Sequence, residues 1–101
     1  MNIHPNSIYN KSNRVIAKEI EDEFIIVSVS AQKNGASDEL YLLNETGREL
    51  WEHLDGKTRV CQVIEVVSRK YREDFHAQIS KDIMALLKEM LICNIIIKVS
   101  N

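Results

Sequence analysis

Residues 42–56, LLNETGRELWEHLDG, are where this chain changes its hydrophobic period. Within them Leu43, Gly47, Leu50, Trp51 and Leu54 recur at i, i+4, i+7, i+8 and i+11, one face of a helix. Asn44 is a good N-cap, and Thr46 with Glu49 offers a capping box two residues later. Gly56 supplies the left-handed position that ends the helix. Trp51 lies on the same stripe as Leu50 and Leu54, so it is expected in the core rather than as an anchor for a partner.

Upstream of this stretch the period is two. Val15–Glu19 reads as a first strand and Glu21-Asp22 as a tight turn. EFIIVSVS then sets Ile25, Val27 and Val29 on one face, expected buried, against Ile26, Ser28 and Ser30 on a largely polar one. Asn34-Gly35 is a hairpin signal, since both residues tolerate positive φ, and ELYLL returns as a third strand. Downstream the period is 3.6. Thr58 is expected to cap a second helix with stripe Val60, Val63, Ile64, Val67 and Tyr71. A third helix is expected from about Ala77 to Met90, with stripe Ile79, Ile83, Leu86, Leu87 and Met90. NIIIKV closes as a short strand.

The expected order is β-β-β-α-α-α-β. This is an α+β fold, winged helix-turn-helix-like, with a three-stranded antiparallel N-terminal sheet packed on three helices and a short C-terminal strand. Residues 1–13, polar and rich in asparagine around Pro5, read as a flexible N-terminal segment. Residues 14–101 read as a single domain.

Composition removes several classes of function. Thirteen basic and fifteen acidic residues leave a net charge of −2, without the basic excess of a nucleic-acid binder. No apolar run, Ile95-Ile96-Ile97 included, approaches the roughly 20 residues that span a bilayer. The N-terminus has no apolar signal-peptide core, and Cys61 and Cys93 make no disulfide framework. A reducing, cytoplasmic setting is expected, with both thiols packed as small hydrophobes.

No constellation for catalysis emerges. His4, His53 and His76 lie in the tail, on the polar side of the first helix and in a turn, without ligand-spaced partners. Neither cysteine has an activating neighbour, and NETGRE has one glycine where a phosphate loop needs several. The chain is expected to be non-enzymatic, with no metal and no cofactor. The feature left over is the edge of the third strand. An unpaired edge beside a helix accepts an extended peptide as an added strand, or is simply short and covered. Physical reasoning alone leaves these two open. The alternative function is a winged-helix DNA-binding regulator, with the third helix in the major groove. Its outward residues Gln78, Lys81, Asp82, Lys88 and Glu89 mix charges, and two of them repel phosphate.

YLLNETGRELWEHLDGKTRVCQVIEVVSRKY, followed by ISKDIMALLKEML, resembles the PqqD family of coenzyme PQQ synthesis proteins. The shared features are Leu43-Asn44-Glu45-Thr46, Trp51, Asp55-Gly56, Thr58, and Asp82-Ile83 with Leu86 and Leu87, over roughly residues 36–92. The chain departs from the family pattern after Thr58, where Arg59 and Cys61 replace the frequent acidic residues. The resemblance implies a non-catalytic recognition element that binds the leader of a ribosomally made precursor peptide. It would present that leader to a peptide-modifying enzyme, commonly of the radical-SAM type. It further implies strand addition along Asp38, Glu39, Leu40, Tyr41 and Leu42, with a helical wall from Lys81, Met84, Ala85 and Lys88. Lys81 and Lys88 would then attract acidic leader residues. The same edge could instead serve homodimerisation. No nucleic acid and no membrane partner is expected.

Overall fold

A computed structural model describes residues 3–28 and 39–100. The Asn34-Gly35 turn, Val29, Ser30 and Asp38 lie outside these residues. The elements run β1 (Ile8–Lys11), β2 (Val15–Ile20), β3 (Glu23–Ser28), β4 (Glu39–Leu43), α1 (Glu45–Glu52), β5 (Asp55–Arg59), α2 (Val60–Ser68), α3 (His76–Ile92) and β6 (Ile96–Ser100). A single 3-10 turn over Glu73–Phe75 leads into α3. The strands form two antiparallel three-stranded sheets, ordered β2-β3-β4 and β5-β1-β6.

The β2–β3 hairpin turns on Glu21 and Asp22, both at positive φ (46° and 70°), as the tight turn required. The face that β3 buries is the opposite of the one its sequence suggests. Ile26 is fully buried, whereas Ile25 and Val27 are half-exposed. Register explains this: Phe24 pairs with Leu43 and Ile26 with Tyr41, so the bulkiest side chains of both strands share the face turned to the helices. The outer face carries Ile16, Ile25, Val27, Leu40 and Leu42, an apolar surface of which Leu40 and Leu42 are 67% and 68% exposed.

The segment expected as a flexible lead-in contributes the central strand of the second sheet. Tyr9 is buried at 1% exposure, and β1 pairs with β6 on one side (Asn10 with Ile97) and β5 on the other (Asn10 with Asp55). A four-residue strand with one core-facing apolar side chain has too little alternation to be recognised locally.

α1 starts where the sequence indicates. The Asn44 Oδ1 accepts the Gly47 N–H at 2.8 Å, so Asn44 alone is the cap, and Thr46 lies inside the helix. The helix stops at Glu52, four residues before Gly56. Gly56 does take positive φ (78°), but within β5, where the chain turns against β1. A Cβ on it would sit 2.8 Å from Asn10 Nδ2 and 3.0 Å from Asn10 Cγ. Gly56→Ala is therefore expected to cost about 2 kcal/mol, from left-handed strain and the displaced Asn10, read as a lower urea midpoint at unchanged m-value.

Thr58 does not cap α2. Asp55 draws it into a local turn, its Oδ1 accepting the N–H groups of Lys57 (2.8 Å) and Thr58 (3.0 Å) and its Oδ2 the Thr58 hydroxyl (3.1 Å). The N-cap is Arg59, whose N–H donates to Gln62 Oε1 at 3.2 Å. The Lys57 N–H foremost, with Thr58 behind it, holds the Asp55 carboxyl below its ordinary value of 3.8. A depressed folded-state value stabilises the protein above about pH 4, and that contribution fades as pH falls through the folded value. The stability gap between wild type and Asp55→Asn should thus narrow between pH 6 and about pH 2 in thermal melts.

The core lies between the sheets and the helices. Leu50, Trp51 and Leu54 come from α1 and its end, Val60, Val63 and Val67 from α2, and Ile79, Ile83, Leu87 and Met90 from α3. Each set keeps helical spacing. Trp51 is 4% exposed, with the Lys11 ammonium 5.5 Å from its ring centroid. Arg48 pairs with Glu19 and stacks 5.3 Å from Phe24, tying α1 to the first sheet. Cys61 is exposed rather than packed, because it follows Val60 on the outward side of α2, and Cys93 is half-buried.

Candidate functional site

β4 has β3 on one side and, among the described residues, no strand on the other. α3 faces β4 across a gap. The space between them is a cavity of about 250 Å³ lined by β4 residues 40–43 together with Ile26, Leu86, Glu89, Met90 and Ile95. Its floor is apolar and its wall comes from one flank of α3. The floor is set by how α3 ends. Asn94 takes φ 61°, the Ile95 N–H donates to the Met90 carbonyl (2.8 Å) and the Asn94 N–H to the Leu91 carbonyl (3.2 Å). This paired cap turns the chain sharply and brings Ile95 back beside Met90 beneath β4.

The depression continues along α3 toward its N-terminus. A second cavity of about 240 Å³ is lined by Asn44, Thr46, Gly47, Asp82, Ile83 and Leu86. Leu86 belongs to both cavities and is the ridge where they meet. Gly47 matters here for its size: a Cβ would crowd Leu43 and Asn44 at 3.2–3.3 Å. Thr46 shares a 2.8 Å hydrogen bond with the Tyr71 hydroxyl, fixing α1 against the turn that follows α2. A third, open depression of about 610 Å³ extends beyond Asn44, bordered by Asp22, Glu23, Glu45 and Arg48.

Leu40, Tyr41 and Leu42 line the first cavity, Glu39 begins the same strand, and Asp38 lies outside the described residues. The expected α3 wall sits differently. Lys81, Ala85 and Lys88 are exposed on α3 and line neither groove cavity, while Met84 is half-buried against the core. The residues brought to the groove are Asp82, Leu86 and Glu89, spaced i, i+4 and i+7. A signal for them existed. Leu86 and Leu87 are both on the apolar stripe, so the stripe is one residue wider than the core needs, and the surplus leucine marks the flank facing β4.

No group of three or more His, Cys, Asp or Glu among the described residues could hold a metal ion. The His76 ring is occupied structurally, its Nε2 donating to the Tyr71 carbonyl at 2.9 Å. No described helix is long and apolar enough to cross a membrane. The groove offers a strand edge with no neighbouring strand among the described residues, an apolar floor and two carboxylates, a combination that suits binding of an extended chain.

Residues 23–96, from the start of β3 to the start of β6, match the profile of coenzyme PQQ synthesis protein D (PqqD). The chain belongs to the PqqD family. The match takes in β3, β4 and all three helices, and so every described residue lining the two groove cavities. No curated protein and no solved structure matches the chain. The family is named for coenzyme PQQ synthesis, which the PqqD match extends to this chain as an accessory role.

Proposed function

We propose that this chain is a non-catalytic peptide chaperone. It takes the leader of a ribosomally made precursor as an added strand along β4 and presents it to a separate modifying enzyme, of the radical-SAM type by family resemblance. The observation that carries this reading is the outer edge of β4, which has no strand beside it among the described residues and borders the groove lined by Leu86. The backbone of 38–42 would supply hydrogen bonds. Alternate side chains of the added strand would enter the groove against α3, and the others would extend the exposed apolar face of Leu40 and Leu42. On α3 the contacts pass from Lys81, Met84, Ala85 and Lys88 to Asp82, Leu86 and Glu89.

The succession α1-β5-α2-α3-β6 is consistent with a winged helix, but α3 turns acidic residues to its open flank, which disfavours DNA. The pathway is that of PQQ or of a related modified peptide, in the cytoplasm. The test is a titration of labelled leader peptide, taken from whichever short precursor the neighbouring genes encode, followed by amide hydrogen exchange. Saturable binding with new protection in 40–43 supports strand addition. Absence of binding sinks it, and light scattering that finds β4 occupied by a second copy would replace it with a dimer.

A further inference from the structure

The groove also carries a charge pattern. Among the described residues, the charged side chains lining the two cavities are Glu89 in one and Asp82 in the other, and both are acidic. Both are exposed. Asp82 is held by Gln78 Nε2 at 2.8 Å, an uncharged donor, and neither carboxylate has an ion-pair partner among the described residues. Lys81 and Lys88 are next to them in sequence, but about 100° around the helix and outside the cavity linings. The open depression beyond Asn44 continues the same sign. Asp22, Glu23 and Glu45 border it, and its cation, Arg48, is already engaged by Glu19 and Glu52.

From this we infer that the groove selects a basic leader segment: an apolar residue seated at Leu86, with lysine or arginine two positions to either side. This rests on the peptide-binding reading above and reverses the preference that Lys81 and Lys88 would have set. The spacing follows from geometry. Asp82 and Glu89 are seven residues apart, about 10.5 Å along the α3 axis. In an extended peptide, residues i and i+4 share a face and stand about 13 Å apart. Long, flexible basic side chains close that difference, and i+2 then falls opposite Leu86, which lies between the two acids. The pattern reads the same in both directions, so it holds for a parallel or an antiparallel added strand.

The test is selection of a phage-displayed random dodecapeptide library on the full chain, with counter-selection against Leu86→Lys. The enriched sequence is then synthesised with lysine, serine or glutamate at the two flanking positions and titrated by fluorescence anisotropy. The lysine form is expected to bind about tenfold more tightly than the glutamate form, with the difference shrinking as salt rises. The double variant D82K/E89K, altered only at exposed positions, is expected to reverse the order. Groove-dependent peptides that are acidic, or indifferent to flanking charge, would overturn the charge selection and leave strand addition standing. Failure to enrich any peptide sensitive to Leu86→Lys would overturn peptide binding itself, and the charge selection with it.

Discussion

Trp51→Ala should lower the stability of this protein by about 3–5 kcal/mol, the largest effect expected of any single substitution in it. The indole is 4% exposed and lies beside Leu50 on α1 in the one core that joins both sheets to the helices. Truncation leaves a cavity that three packed elements cannot collapse to fill. A domain of this length has about 5–15 kcal/mol in total, so the variant should be partly unfolded at physiological temperature. Urea titration followed by far-UV circular dichroism measures the loss, since the variant lacks the chain's single tryptophan fluorophore. Trp51→Phe keeps most of the apolar contact and should recover more than half of the difference. A Trp51→Ala variant as stable as wild type would mean that the ring is not an essential part of this core.

Leu86→Lys should weaken leader binding about a hundredfold, close to 3 kcal/mol, while the fold persists. Leu86 is half-buried and lines both cavities, so a lysine there narrows the groove and sets a cation between two carboxylates. Its aliphatic stem can still cover the neighbouring core while the ammonium reaches water, which is why folding should survive. Lys81→Ala and Lys88→Ala, on the outward side of α3, should change affinity less than twofold. Isothermal titration with the leader peptide, alongside circular dichroism of each variant, separates lost binding from lost structure. Equal binding by Leu86→Lys and wild type would place the peptide elsewhere.

The residues differ in how far their role could be read without coordinates. The Asn44 cap, the Glu21-Asp22 turn and the burial of Trp51 depend on neighbours within a few positions, and each is found in the structure as its local pattern indicates. The resemblance to PqqD likewise rests on short-range order, and the match over residues 23–96 bears it out. Gly56 and Thr58 show where local grammar stops being sufficient. Both have the chemistry of helix boundaries, yet pairing of β5 with β1 recruits the segment between α1 and α2 into a strand. β1 itself is legible only through its partners, because two flanking strands satisfy a segment too polar to declare itself.

By itself, then, the sequence determined the helices, the turn, the core tryptophan and the family. Only the tertiary structure decided which face of β3 is buried, that residues 8–11 close a second sheet, and which flank of α3 meets β4. The physical reason is one of symmetry. A period of 3.6 or 2 marks an apolar face but not what lies at its margins, and a rotation of one residue, about 100°, exchanges Lys81 and Lys88 for Asp82 and Glu89. That rotation is set by Phe24, Ile26, Tyr41 and Met90 packing across elements far apart in the chain, and it turns the groove from basic to acidic.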